Sequence, residues 1–379
     1  MEMLLTSEQE ALQTSFRRLF GNYCPTPLVR LYQAQQDAAV IEELWTQLAV
    51  TGLFALGLPE QHGGYGDLFD LALVVMEAGR VLCPTVVYST VAFGQAVLHL
   101  GTDAQHRQWL PGVAKGELTG SVALWNPSDA SDVRPPLVAT RGGDGWHLNG
   151  ELEFVPNADR VQALLVSAHT SVQSREPEQT FGFIVTPGAP GLKHERMQTM
   201  GRDSQCVVHF NDVLVESSRV FGIEPLGIAD AQLHWVSNAV TALQTMEMMG
   251  GAQAVLDRTV EYVIGRTQFD RPLASVQAVQ HHVANMHVAI EGARLAAFQA
   301  AWWIGKGRLA EREVAIAKLK CSEAYKSTTL TAHLLHGGMG YMREFDLHLW
   351  SERAKATELL GGPAATQIRR LGRANQLMR

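Results

Sequence analysis

The chain has 379 residues, of which 46% are apolar and 18% are charged, and its formal net charge at pH 7 is −7. This length predicts two or three domains, with cores large enough to fold without disulfide bonds or structural metals. The mild acidic excess argues against nucleic acid or an anionic membrane surface as a partner.

The first third of the chain has the apolar periodicity of helices. Thr6 and Gln9 have the spacing of a capping box, and the helical period continues from Glu8 to Leu19. Four more helices are predicted, over residues 39–53, 67–81, 87–100 and 103–113. We therefore predict an N-terminal helical domain over residues 1–118.

The middle of the chain, from Leu118 to about Phe221, is rich in β-branched and turn residues. Five segments have the alternation of strands: GSVALW, GWHLNGELEFV, ALLVSA, FGFIVT and VVHFNDVLV. Gly, Pro, Asn and Asp separate them, as is typical of turns between strands. These features predict a central β domain over residues 119–222.

The helical period returns at Ile228. Leu233, Val236, Val240 and Leu243 are spaced to share one helix face. Long helices are predicted over residues 276–304, 311–335 and 347–360, which indicates a four-helix bundle over residues 223–379. The predicted fold class is mainly α with a central β domain.

Four cysteines, at positions 24, 83, 206 and 321, lie far apart in the sequence. Their spacing fits neither a zinc site nor a CxxC pair, so we expect free thiols, no bound metal and a reducing, cytoplasmic location. The N-terminus lacks the features of a signal peptide, and no segment approaches the ~18 uninterrupted apolar residues of a membrane span.

The segment GRTQFDRPLASVQAVQ, over residues 265–280, carries the first candidate site. Arg266 has the charge to bind a diphosphate, Phe269 can lie against a flat ring, and Gln277 can bond polar ring or ribose atoms. A plain surface turn between two helices explains the same pattern.

Two more segments are candidates. In LLHGGMGYMREFDL, the paired glycines Gly337 and Gly338 allow backbone amides to approach a phosphate or an adenine ribose, although an ordinary glycine cap would look the same. In LWNPSDASDV, Asp129 and Ser131 either form simple turns or present donors to a flavin edge or a thioester carbonyl.

Together and in this order, these segments resemble the acyl-CoA dehydrogenase family, as do the LTSEQ opening, the LPEQHGGYG loop, DGWHLNGELEFV and HFNDVLV. The resemblance covers nearly the whole chain. It implies an N-terminal helical domain, a middle β-barrel-like domain and a C-terminal four-helix bundle. It also implies FAD as cofactor, an acyl-CoA substrate that is converted to a trans-2-enoyl-CoA, and reoxidation by an electron-transferring flavoprotein.

The resemblance also assigns cofactor-binding residues. Arg266, Phe269 and Gln277 match the residues that bind FAD across a subunit interface. Gly337 and Gly338 match the turn near the adenosine end of FAD. Ser131 matches the serine near the acyl and flavin groups. Tyr88 and Phe93 either line the acyl pocket or are ordinary core aromatics.

The chain departs from the family where a glutamate should remove the α proton. Gly361 and Val240 stand at the two family locations of this base, and neither Val240 nor the adjacent Thr241 can act as one. Glu247, two turns after Val240, is a weak alternative base, but it could instead pair with a buried arginine. Asp129 and Glu153 lie near the flavin-facing segments and are expected to be solvated.

Residues that contact the flavin in the family are also replaced. Trp125 and Pro156 stand where the family has threonines, Phe154 where it has tryptophan, and Pro363 and Ala364 where it has threonine and glutamine. The segments that would bind a neighbour's FAD, residues 266–277 and Gly337–Gly338, are kept, and we call them the interface arm. The residues that would face the flavin are lost. That asymmetry resembles the base-less subunit of bacterial heteromeric, steroid-CoA type acyl-CoA dehydrogenases, which pair with a paralogous subunit as α2β2 heterotetramers.

The leading hypothesis is therefore such a subunit, acting in fatty acid or steroid side-chain β-oxidation. Two alternatives stay open. One is a self-sufficient homotetrameric dehydrogenase with a relocated base, Glu247. The other is a non-catalytic binding or structural member of the family, with Trp125, Phe154 and Pro156 blocking the flavin pocket.

Overall fold

The computed structural model describes residues 4–170, 178–224 and 226–376. Within this range the chain forms two compact units. Unit 1 contains the segment that ends at Val29, the segment Ala72–Cys83 and the segment that begins at Thr241. Unit 2 contains Arg30–Leu71 and Pro84–Val240.

The described residues form eleven α-helices, which confirms the mainly helical fold class. In chain order they are α1 (Ser7–Tyr23), α2 (Thr26–Gln35), α3 (Glu42–Val50), α4 (Leu68–Arg80), α5 (Thr85–Leu100), α6 (Asp103–Ala114), α7 (Asp230–Gly265), α8 (Gln277–Gly305), α9 (Glu311–His336), α10 (Leu347–Leu359) and α11 (Ala364–Gln376). The capping box of α1 is present, since Thr6 Oγ1 accepts from the Gln9 N–H and Gln9 Oε1 accepts from the Thr6 N–H, each at 3.2 Å.

The predicted continuous helix over residues 39–53 is wrong. The chain forms a short 3-10 turn at Ala38–Ile41, then α3, and then a second 3-10 turn at Leu53–Ala55. Gly52 separates the last two with a φ of +85°, a left-handed conformation that ends an α-helix and that glycine adopts without strain.

Eight strands make the sheet of unit 2. They are β1 (Gly120–Ala123), β2 (Leu137–Arg141), β3 (Trp146–Pro156), β4 (Ala163–Thr170), β5 (Thr180–Val185), β6 (Leu192–Met197), β7 (Gln205–Val215) and β8 (Val220–Phe221). The order is β6-β7-β3-β2-β4-β5-β8, with β1 paired to β4 off this path. The β1–β4 and β2–β4 pairs are parallel and the others antiparallel.

The sheet of unit 2 is flanked by two apolar clusters. One contains Trp146, whose ring contacts the rings of Phe181 and Phe183. The other joins α5 and α6 to β1 and to the first turns of α7, and Phe93 is completely buried in it. Phe93 is therefore a core aromatic of this unit.

In unit 1, the helices α8, α10 and α11 pack against α9. Two strands, β9 (Thr267–Gln268) and β10 (Arg271–Pro272), form a short hairpin between α7 and α8. All four cysteines are buried and free. Each helix that the structure describes is too short or too polar to cross a bilayer.

Two glycines let α4 and α7 cross in unit 1 with their backbones in contact. A Cβ atom on Gly250 would lie 1.7 Å from the Met76 carbonyl oxygen, and one on Gly79 would lie 2.0 Å from the Glu247 carbonyl oxygen. Because the obstructing atoms belong to the backbone, a side-chain rotation cannot relieve the overlap.

Gly250→Ala is expected to lower the free energy of unfolding by about 2–3 kcal/mol, because the two helices must move apart. Urea unfolding measures this loss. Gly292→Ala in α8 is the matched control, since a Cβ there meets no atom within 4 Å, and the better helix propensity of alanine should stabilise by about 0.5–1 kcal/mol. Similar effects from both substitutions would contradict the close crossing.

Candidate functional site

The hairpin after α7 presents an apolar ring to solvent. Strands β9 and β10 pair Gln268 with Arg271, and the two residues of the turn, Phe269 and Asp270, have φ angles of +52° and +62°. Two positive φ angles are the geometry of a type I′ turn, which normally takes Asn and Gly. Phe269 is 91% exposed. A phenylalanine held out of the core in a strained turn indicates a surface that a ligand or another chain covers.

Arg266 and Gln277 lie at the two ends of this hairpin segment. The Arg266 N–H donates to the Tyr262 carbonyl at 2.8 Å, which ends α7 in an ordered way, and the guanidinium is exposed with no side-chain partner among the described residues. Gln277 is the exposed first residue of α8, and Val276 before it provides no side-chain cap. An exposed cation and the amides of an uncapped helix start are groups suited to a phosphate.

A second open segment follows α9. Gly337 has φ +58° and ψ −137°, a conformation that side chains avoid, and it begins a 3-10 turn that runs to Tyr341. A Cβ added to Gly337 or Gly338 would meet no atom within 4 Å. The backbone here faces open space, so a planar or phosphorylated group can approach it closely.

These five residues of unit 1 fit the predicted dinucleotide. They combine an exposed cation, an exposed ring, a helix N-terminus and an open glycine turn. Their roles in FAD binding remain a prediction.

The loop of unit 2 that contains Ser131 is held mainly by bonds within itself. Asp129 Oδ1 accepts from the Ser131 hydroxyl at 2.6 Å and from the Ser131 N–H at 3.0 Å. Ser131 is 8% exposed. Asp129 therefore stabilises a turn, and the role of Ser131 near the acyl and flavin groups stays a prediction.

In unit 2, residues that stand where the family has its base or its flavin contacts pack in or against the core. Val240 is buried in the apolar cluster of α5 and α6, and Trp125 and Tyr88 pack against the same cluster. The Tyr88 hydroxyl donates to the Val240 carbonyl. In strand β3, Phe154 has a φ of +53° at a bulge and is 38% exposed, while the Pro156 carbonyl accepts from Ser121 Oγ at 2.6 Å.

Gly361, in unit 1, stands in a buried turn between α10 and α11. Gly361 and Gly362 have φ angles of +76° and +103°. Gln367, which is completely buried, donates from Nε2 to both of their carbonyls, at 3.0 and 2.9 Å. The turn is therefore fixed by its backbone conformation and by a buried side chain.

Glu247 forms an ion pair with Arg353 across unit 1. Glu247 Oε1 lies 2.9 Å from Arg353 Nη1, and both side chains are nearly buried. This arrangement is the structural alternative that the sequence left open for Glu247. A guanidinium at this distance stabilises the ionised carboxylate by direct charge pairing.

Lys318 lies near this pair, and the sequence analysis does not predict its burial. It is completely buried, and its Nζ donates to Gln244 Oε1 at 3.1 Å and to the Thr357 carbonyl. Burial lowers the pKa of Lys318 to about 7, although the Glu247 carboxylate opposes the shift. The available signal was its spacing, because Lys318 shares the buried face of α9 with Val314 and Cys321.

The lowered pKa of Lys318 predicts a pH-dependent stability. Between about pH 7 and the pKa near 10.4 of an unfolded lysine, the unfolded chain binds a proton that the folded chain does not, so stability rises with pH by up to about 1.4 kcal/mol per unit. From pH 7 to pH 9, wild type should gain about 2 kcal/mol relative to Lys318→Met. Chemical unfolding at each pH measures this. Lys320→Met, at an exposed neighbour, should not change the slope, and parallel curves for wild type and Lys318→Met would refute the prediction.

Known proteins resemble this chain over most of its length. Residues 6–117 and 239–375 match the family models described as acyl-CoA dehydrogenase, N-terminal domain, and acyl-CoA dehydrogenase, C-terminal domain. The probable acyl-CoA dehydrogenase YngJ of Bacillus subtilis is 30% identical over 346 residues, which cover 89% of this chain and 90% of that protein.

Two solved structures have the same fold. A variant of the steroid ACAD Tcur3481-Tcur3483 is 30% identical with a TM-score of 0.85, over 98% of this chain and 99% of that one. The ChsE4-ChsE5 complex from Mycobacterium tuberculosis is 26% identical with a TM-score of 0.87, over 99% of each chain.

Proposed function

Because this chain belongs to the acyl-CoA dehydrogenase family and is thus an FAD-dependent acyl-CoA dehydrogenase, we propose that it acts as one of two different subunits in a mixed assembly. In this proposal the chain supplies the interface arm, residues 266–277 and Gly337–Gly338, and a paralogous subunit supplies the carboxylate that removes the α proton.

The reaction needs a base and a hydride acceptor. Bound FAD would supply the acceptor for the hydride from the β carbon of the acyl-CoA. Arg266 would bind the diphosphate, Phe269 would cover a flat ring, and Gln277 would bond polar atoms at the start of α8. The amides of Gly337 and Gly338 would approach the adenosine end. These residues bind and orient, and none of them removes a proton from the substrate.

The observation that carries the proposal is the chemistry at the two expected base positions. Gly361 has no side chain, and Val240 is apolar and packs in the core of unit 2. The nearest alternative along α7, Glu247, is held by Arg353 at 2.9 Å. A family member with an intact arm and no available base is expected to rely on a partner for proton removal.

The nature of the partner follows from the same asymmetry. The steroid ACAD Tcur3481-Tcur3483 and the ChsE4-ChsE5 complex each combine two different proteins, which supports a mixed assembly. We propose that the partner here is a paralogous subunit and that the two form an α2β2 heterotetramer. We propose an acyl-CoA substrate in fatty acid or steroid side-chain β-oxidation and an electron-transferring flavoprotein as acceptor. The free, buried thiols support a cytoplasmic location.

The domain division proposed for this chain follows the change from helices to strands and back. It assigns residues 1–118 to a helical domain, 119–222 to a β domain and 223–379 to a helical bundle. The strands β1 to β8 all fall in the second range, and α8 to α11 all fall in the third.

Flavin stoichiometry tests the proposed function. The chain is purified alone and after co-expression with a paralogue that has Glu at the position of Gly361 or of Val240. FAD per chain is measured by absorbance, and turnover is measured with acyl-CoA substrates and a dye acceptor. We expect little FAD and no turnover for the lone chain, and both in the complex, with half the FAD per chain of a homotetramer.

Two results would favour the alternatives. A lone chain with one FAD per subunit and full turnover would reject the mixed assembly. Loss of that turnover in a Glu247→Gln variant that stays folded and keeps its FAD would then identify the relocated base. A chain that binds no FAD and supports no turnover with any paralogue would identify the non-catalytic binding or structural member. The isosteric Glu247→Gln change keeps the packing while removing the charge.

A further inference from the structure

Tyr262 connects the two open segments of unit 1. It lies one helical turn before the end of α7, and its carbonyl accepts from the Arg266 N–H at 2.8 Å. The backbone of Tyr262 therefore helps to fix the backbone of Arg266, where the hairpin segment begins.

The Tyr262 side chain reaches the end of α9. Its hydroxyl donates to the His336 carbonyl at 3.3 Å, and its ring stacks on the His336 imidazole with centroids 4.1 Å apart and planes inclined by 23°. His336 is the last residue of α9, and Gly337 follows it directly. One side chain thus holds both the ring and the carbonyl of the residue that precedes the glycine turn.

The orientation of His336 is fixed from two other directions. Its Nδ1 donates to the Ala332 carbonyl at 2.7 Å, and Phe345 packs on its ring with centroids 5.1 Å apart. The Nε2 atom is buried without a hydrogen-bond partner among the described residues. Burial lowers the pKa of His336, which keeps the stacked ring neutral.

We propose that Tyr262 and His336 act as positioning residues that hold the hairpin segment 266–277 and the glycine turn 337–341 in one fixed arrangement for the cofactor. The proposal rests on the proposed function only in naming FAD as the ligand. When the two segments are already aligned, the protein loses less conformational freedom on binding a dinucleotide that contacts both of them. The rate at which the dinucleotide is released should therefore depend on Tyr262 and His336 as well as on the residues that touch it.

The first test needs no cofactor and no partner. Amide hydrogen exchange is measured on the full-length chain for wild type, Tyr262→Phe and Tyr262→Leu. Tyr262→Phe removes the hydroxyl bond and keeps the stack, whereas Tyr262→Leu removes both. We expect exchange in residues 337–341 to accelerate about threefold in the first variant and roughly tenfold or more in the second.

The second test measures the rate of FAD release from the flavin-containing assembly after dilution. We expect Tyr262→Leu to accelerate release roughly tenfold. Tyr325→Phe is the control, because Tyr325 is a buried tyrosine of the same unit whose hydroxyl has no hydrogen-bond partner among the described residues. It should leave both exchange at residues 337–341 and FAD release unchanged.

The outcomes separate this inference from the proposed function. A folded Tyr262→Leu variant with wild-type exchange at residues 337–341 and wild-type FAD release would reject the positioning pair and leave the mixed assembly untouched. Accelerated exchange in a chain that never acquires FAD would support the pair and reject the flavin arm. Equal acceleration in Tyr325→Phe would show a general loss of stability and would also overturn the inference.

Discussion

Replacing Arg353 by methionine is expected to lower the free energy of unfolding by about 3–5 kcal/mol, because the Glu247 carboxylate would remain buried without its counter-charge. The two side chains are 8% and 11% exposed, so water cannot compensate for the loss. The completely buried Lys318 lies in the same region, and its lowered pKa limits the positive charge that it can offer in place of Arg353. Denaturant unfolding measures the effect.

A double variant separates the effect of an unpaired charge from the effect of lost packing. Glu247→Gln combined with Arg353→Met removes both charges and should recover part of the loss, since replacing both members of a buried pair costs far less than removing one. Arg312→Met, at an exposed position of the same unit, should change stability by less than about 0.5 kcal/mol. A single Arg353→Met variant as stable as wild type would show that the ion pair does not stabilise this fold.

Arg266→Leu is expected to weaken FAD binding to the flavin-containing assembly by about 100-fold. The guanidinium is exposed and has no side-chain partner in the part of the chain that the structure describes, so its bonding capacity is available to a diphosphate. A hydrogen bond to a charged group contributes about 1.5–3 kcal/mol, which corresponds to roughly 10–150-fold in affinity.

Arg271→Leu is the matched control for this prediction. Arg271 lies on the opposite strand of the same hairpin and is also exposed, so its loss removes one positive charge from nearly the same place. We expect FAD affinity within about threefold of wild type for this variant, since screened surface charges act weakly. Equal losses from both substitutions would indicate a general attraction by positive charge and contradict a specific contact by Arg266.

Much of the fold could be predicted because local periodicity determined it. The capping box at Thr6 and the long helices α8 and α9 match the sequence prediction closely. Helix α2 was missed because prolines stand at its start, where a helix tolerates them but a turn is the usual reading. Helix α11 was missed because polar residues such as Gln367 and Arg370 form its buried face. Strand β6 lies at the sheet edge with charged, exposed side chains, so it has no apolar alternation.

In the candidate site, too, short motifs could be predicted from the sequence, whereas contacts between distant residues could not. Arg266, Phe269 and the Gly337 turn could be found as short motifs. The pairing of Glu247 with Arg353, 106 residues away, is set by how α7 and α10 pack, and no local pattern reports it. The sequence could therefore offer an arginine partner for Glu247 only as an alternative, and it gave no indication that Tyr262 stacks on His336.

The backbone at Gly361 has a consequence for how this protein can change over time. A glutamate introduced there would have to adopt a φ of +76°, which disfavours any L-residue by about 1–2 kcal/mol, in a buried turn bonded to Gln367. One nucleotide change could encode the acid, yet the turn would resist it. In the proposed mixed assembly, a return to self-sufficiency would therefore need several coordinated substitutions, and selection would instead keep the two genes together.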